Sequence, residues 1–143
     1  MLRSGRAHWV TVSGIIGILA LIVVLVFGGD SPASTTNRFM NALADGDVDT
    51  LMSMSYYDGS KESLKEQWEF ATKVAGRYYR FRWQVVTVKE PTEKSAAVKL
   101  MVERNVGMGS VPEKMDVPLV RPNGRWLVDV KALHRGLYPA LPR

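Results

Sequence analysis

The chain of 143 residues has no cysteine, which excludes a disulfide framework, a thiolate metal site and a cysteine nucleophile. Histidine is scarce. His8 and His134 are the two present, and with His8 beside an apolar run they do not compose a zinc site, so neither a metal nor a cofactor is expected. Charge of one sign is not concentrated either. The net charge is +5, yet no basic run is long enough to follow a phosphate backbone, which argues against nucleic acid as a partner. Solubility and attraction to anionic headgroups account for the surplus. No internal repeat is visible, and the length suits one domain rather than two.

What the chain does have is a run of 19 uncharged residues, 9–27 (WVTVSGIIGILALIVVLVF). As a helix it spans about 28 Å, close to the thickness of a bilayer core. Thirteen of its residues are Val, Ile, Leu or Phe. At about −0.3 to −0.6 kcal/mol each, they favour insertion by about 4 to 8 kcal/mol. Arg3 and Arg6 precede the run, while Gly28, Gly29 and Asp30 follow it without a nearby cation. The positive-inside rule therefore expects residues 1–8 in the cytoplasm, a single-pass helix over 9–28 in the cytoplasmic membrane, and the remainder outside. The alternative is a secreted protein released by cleavage at residues 31–33 (SPA). A signal-peptide core runs about 7 to 15 residues, shorter than this run, which favours a retained anchor. Ser13 and Gly17 form a small-xxx-small pair, one route to a homodimer.

Residues 28–36 (GGDSPASTT) read as a polar linker, with 29–36 leading into a domain over 37–133 and a tail over 134–143. Phe39, Met40, Ala42 and Leu43 recur at helical spacing, Gly46 stops the run, and Asp47 caps a short second helix with Val48, Leu51 and Met52. Leu64, Trp68, Ala71 and Ala75 give a third helix one apolar stripe, ended by Gly76. The period then changes from 3.6 to 2. Tyr79, Phe81, Trp83 and Val85 alternate with Arg80, Arg82 and Gln84; beyond them the apolar set shifts to Val86 and Val88, the mark of a β-bulge. Ala96 to Val102 and Met115 to Leu119 alternate in two further strands, with Pro118 pointing to an edge or a bulge. Pro122-Asn123-Gly124 is a hairpin turn before Trp126, Val128 and Val130. The fold class expected is α+β: three helices packed on a curved antiparallel sheet of about four strands.

The order helix, Gly46-Asp47 turn, helix, helix, then strands ending in Gly124-Arg125-Trp126-Leu127-Val128-Asp129 resembles the nuclear-transport-factor-2-like (cystatin-like cone) superfamily, and within it membrane-anchored bacterial members. Enzymes of that superfamily imply an Asp or His with a Tyr inside the cone. On the strands, Glu103, Asp116 and Asp129 all fall on the outward phase, and Asp45, Asp47 and Asp49 cluster at a helix turn, where capping and solvation explain them. His134 has no acid near it in sequence. No catalytic residue is therefore expected. Aromatics and cations interleave in residues 77–83, but alternation sends Phe81 and Trp83 to one face and Arg80 and Arg82 to the other, so a basic surface face over a buried one is expected. The function anticipated is a membrane-tethered extracytoplasmic scaffold or protein-binding domain, with a protein partner or a homodimer. The alternative is a small-molecule binding or cyclase/isomerase-like protein whose apolar cone pocket is lined by Trp68, Phe81, Trp83 and Trp126.

Overall fold

The computed structural model describes residues 30–104 and 109–143. The expected membrane helix at residues 9–27 lies outside the described residues; among those described, no helix is long and apolar enough to cross a membrane.

Helix α1, Pro32–Asp45, starts inside the stretch expected to be a linker. Its start is fixed by a reciprocal cap in which Ser31 Oγ accepts from Ser34 N at 3.1 Å and Ser34 Oγ accepts from Ser31 N at 3.2 Å. Proline at the first turn costs nothing there, because that amide has no partner in a helix. Thr35 and Thr36 are fully buried, so the polar composition that reads as a linker is the first turn of the packed helix. Gly46 ends α1 at φ 67°, a left-handed conformation that glycine adopts without a Cβ clash. Asp47 then caps α2, Val48–Met54, accepting from the Thr50 amide at 3.2 Å and the Thr50 hydroxyl at 2.6 Å.

Strand β1, Ser55–Tyr56, follows at once. Helix α3, Lys61–Phe70, is capped by Ser60 and runs on into a π turn, Ala71–Ala75. The wider turn moves the stripe: Thr72 is buried, with its hydroxyl donating to Trp68 O at 2.8 Å, whereas Ala75, expected inward, is exposed.

The remaining strands are β2 (Phe81–Thr92), β3 (Ser95–Arg104), β4 (Glu113–Val120) and β5 (Leu127–Asp129). Their order across the sheet is β1-β5-β4-β3-β2. The sheet thus has five strands and is mixed, not four and antiparallel, because β1 pairs parallel to β5 through Ser55↔Val128 and Tyr56↔Asp129. Two residues cannot display an alternation, so sequence patterning does not register this strand. The bulge expected near Val85 and Val86 is present: Val85 pairs with Leu100 and Thr87 with Lys99, leaving Val86 unpaired between them. Pro118 pairs with Ala97 one residue before the short β5 ladder begins at Leu119.

Helix α1 packs on β2, β3 and β5. The inward residues Val98, Leu100, Val102, Val117 and Val128 meet Phe39, Met40 and Leu43 in one core. Burying a side chain of this size contributes about 1.5 to 3 kcal/mol. The ring of Phe39 meets Trp68 edge to face at 5.8 Å, joining α1 to α3. The tail at 134–143 belongs to the same compact unit, which runs Ser31–Arg143, and it buries Leu137, Tyr138 and Leu141.

Candidate functional site: the edge strand β2

Strand β2 is last in the sheet order, and β3 is its one described partner. Its alternation produces two unlike faces. Inward, Phe81, Trp83 and Val85 are partly buried against the core. Phe81 lies 5.5 Å from Trp83 and 5.7 Å from Tyr79, and the tail adds Tyr138, 5.3 Å from Tyr79 and 5.9 Å from Phe81. Trp83 Nε1 donates to Asn37 Oδ1 at 3.1 Å, which ties the strand to α1. Sequence reasoning found Phe81 and Trp83 because they sit two apart on one strand. It missed Tyr138 and Asn37, which only the folded chain brings to that row.

The other two aromatics are elsewhere. Trp68 is fully buried between α1 and α3, its Nε1 donating to Ser55 Oγ at 3.1 Å while Ser55 Oγ donates to Leu51 O at 2.6 Å. Trp126 lies by the β4–β5 hairpin with the Arg121 guanidinium 5.4 Å from its ring. So Phe81 and Trp83 meet along β2, and both pack against the core cluster that includes Trp68 and Trp126. A described cleft of about 700 Å³ lies beside the start of α2 and the outer side of α3, lined by charged residues such as Asp47, Glu66 and Lys73 together with Phe70 and Val74.

Outward, Arg80 and Arg82 are both exposed. Arg82 reaches Glu103 across the β2–β3 ladder at 2.8 Å. The Glu103 carboxyl is held below its ordinary value first by the Ser110 hydroxyl and then by Arg82. Arg80 Nη1 makes a long bond of 3.5 Å to the Tyr79 carbonyl, leaving most of its fork directed to solvent. Burial raises the Tyr79 phenol, a rise the nearby Arg104 opposes, and burial also raises Tyr138. Both are neutral hydrogen-bond donors at physiological pH: Tyr79 Oη donates to Leu137 O at 3.4 Å and Tyr138 Oη to Gly76 O at 3.5 Å.

Among the described residues the buried polar side chains are Thr35, Thr36 and Thr72, with no carboxylate, histidine or lysine. No described group of three or more His, Asp and Glu side chains is placed to hold a metal. His134 is exposed, its Nδ1 accepting from the Gly136 amide at 3.0 Å. The arrangement can stack on, pair with and hydrogen-bond another chain.

No family model matches this chain. No curated protein matches it either. Solved structures do. A protein described as a calcium/calmodulin-dependent protein kinase type II association domain, from Thiobacillus denitrificans, is 13% identical with a TM-score of 0.52, over 69% of this chain and 90% of that one. A SEC-C motif-containing protein from Psychrobacter arcticus is 11% identical with a TM-score of 0.56, over 74% of this chain and 62% of that one, so the likeness spans under two thirds of that protein. A nuclear-transport-factor-2-like protein of unknown function from Shewanella oneidensis is also a neighbour, 10% identical with a TM-score of 0.48, over 67% of this chain and 89% of that one. At such identities the likeness speaks for the fold alone, helices layered on a sheet.

Proposed function

We propose that this chain is a single-pass, membrane-tethered, extracytoplasmic scaffold that binds a protein partner and performs no catalysis. The observation that carries the reading is strand β2, twelve residues long and last in the sheet order, with β3 its one described partner. The tether is residues 9–27, an uncharged run long enough to span a bilayer. Its retention is supported by Ser31 and Pro32, which open α1; cleavage within residues 31–33 would remove the cap or break the first turn.

The partner surface is the outer edge of β2. Twelve residues of strand end the sheet, and an added strand would pair with the edge before the bulge, over Phe81 to Val85, where the β2–β3 register is unbroken.

The test is in-cell photocrosslinking from Gln84 and Thr87, on the edge strand, in the full-length chain. A discrete adduct with a different protein, lost when the probe is moved to Asp116 on β4, is expected. Self-adducts alone, or equal capture from Asp116, overturn the dedicated-partner reading.

A further inference from the structure

Strand β2 carries its charge on one face and its rings on the other. Arg82 and Gln84 are exposed on the outward side, while Phe81, Trp83 and Val85 are partly buried on the inward side. The inward phase reaches back to Tyr79, whose ring meets those of Phe81 and Tyr138, so Arg80, between Tyr79 and Phe81, falls outward with Arg82. The Arg82 side chain stays 65% exposed although its Nη2 bonds Glu103 at 2.8 Å. Glu103 takes it from the β3 side, and a guanidinium has five N–H donors, so capacity remains for an acid on the edge side.

The strand brings no acid of its own to balance these cations. From Phe81 to Lys89 there is no Asp or Glu. Glu103, across the ladder, is already engaged twice, accepting from Arg82 and from the Ser110 hydroxyl at 2.9 Å. This balance makes a second copy a poor occupant of the edge. Pairing β2 with another β2 would gather Arg80 and Arg82 of both copies on one sheet face, two arginines against one Glu103 from each.

From this we infer that the edge of β2 over Phe81 to Val85 takes an extended acidic segment of a partner, a strand in which carboxylates alternate with apolar side chains. The inference rests on the edge pairing proposed above and adds the chemistry of the partner. The stretch before the bulge keeps unbroken register with β3 and is about 17 Å long. A strand added there sets its outward residues beside Arg80 and Arg82, where carboxylates make charge-assisted bonds to the guanidinium forks. Its inward residues stand beside Phe81 and Trp83, and apolar side chains there cover rings that the core buries only in part. The bulge at Val86 then breaks the register, so the segment taken is short.

The test titrates the full-length chain, in detergent, into fluorescein-labelled peptides of about seven residues, an ordinary strand length. The peptides alternate valine with glutamate, with threonine or with lysine, and binding is read by polarisation. The glutamate peptide is expected to bind about tenfold tighter than the threonine peptide, and the lysine peptide more weakly still. About 0.5 M salt should shrink the difference. Arg80→Glu should weaken the glutamate peptide about fivefold or more, whereas Lys61→Glu, the same change of charge at the start of α3, should leave it within about twofold. Circular dichroism checks that both variants fold. Equal binding of the three peptides overturns the acidic requirement and leaves edge pairing standing. Equal loss in the two variants overturns the site, since net charge alone then explains the attraction. A doubled mass that the glutamate peptide does not reverse assigns the edge to a second copy and overturns the inference as well. Binding of no peptide overturns it too; a Gln84 crosslink to a different protein in cells would then still uphold the edge, and absence of that crosslink would remove both.

Discussion

Trp83 Nε1 donates to Asn37 Oδ1 at 3.1 Å, and this one bond links the aromatic face of edge strand β2 to helix α1, 46 residues earlier in the chain. An exposed hydrogen bond of this kind contributes about 0.5 to 1.5 kcal/mol. Trp83→Phe and Asn37→Ala should each lower Tm by a few degrees. The double substitution should cost less than the sum of the two, because both remove the same bond. Thermal unfolding of the four species checks this, and strict additivity would deny the coupling.

Gly76 is where the tail meets α3. A Cβ at this position would overlap the Tyr138 ring and hydroxyl, and Tyr138 is buried. Its backbone is not left-handed, at φ −97°, so the demand for glycine is one of space. Gly76→Ala should displace Tyr138 and cost about 1 to 3 kcal/mol, the range for overfilling a packed site. Limited proteolysis should then cut within residues 134–143 faster than in the parent. Unchanged cleavage together with unchanged Tm would show that the ring moves aside freely.

Much of this architecture was legible because its signals are local. The switch from a period of 3.6 to 2 after Gly76, the Gly46-Asp47 junction, and the doubled Val85-Val86 that shifts the inward phase each lie within a few residues of sequence. What escaped depends on the folded chain. Strand β1 is two residues whose partner, β5, lies over 70 positions later. The π turn exchanges Thr72 for Ala75 in the buried stripe without a compositional mark. The start of α1 reads as linker because its cap uses two serines and its first turn buries two threonines. For the candidate site, strand alternation brings Phe81 and Trp83 together, whereas the places of Trp68 and Trp126 are set by which helix and which hairpin carry them.

Stability should fall at both ends of the pH scale, for separate reasons. Asp58 is depressed chiefly by its bond to Lys131, Asp47 by Thr50, and Glu103 by Ser110 and Arg82. A folded-state value below the unfolded one means stability that is present above about 3.8 for the aspartates and 4.5 for Glu103, and is lost as pH falls through the folded values. Lys131, raised chiefly by Asp58, and Tyr79 and Tyr138, raised by burial, act in the opposite sense. Their contribution is present below about 10 and lost as pH rises beyond it. Tm measured from pH 2.5 to 11 should form a plateau between these limbs. Asp58→Asn should shallow both limbs, the alkaline one through Lys131, and a variant with the parent's profile would show that the Asp58–Lys131 pair is inactive in solution.

The bulge at Val86 makes the most direct claim about how the edge of β2 chooses what it pairs with. A long regular edge strand invites pairing with another copy, and a bulge with flanking cations discourages it by bending the strand and breaking the row of donors and acceptors. Deleting Val86 removes the one residue without a cross-strand partner between Val85↔Leu100 and Thr87↔Lys99, so the β2–β3 ladder closes up without disturbing the pairs on either side. The deletion should therefore leave the fold intact and straighten the edge. Self-association in detergent, read by light scattering against the parent at matched concentration, should increase, and Gln84→Lys on the same strand should reverse it by like-charge repulsion across the new contact. If the deletion variant stays folded by circular dichroism and matches the parent's mass, the bulge does not guard the edge, and the selectivity of β2 must come from its arginines.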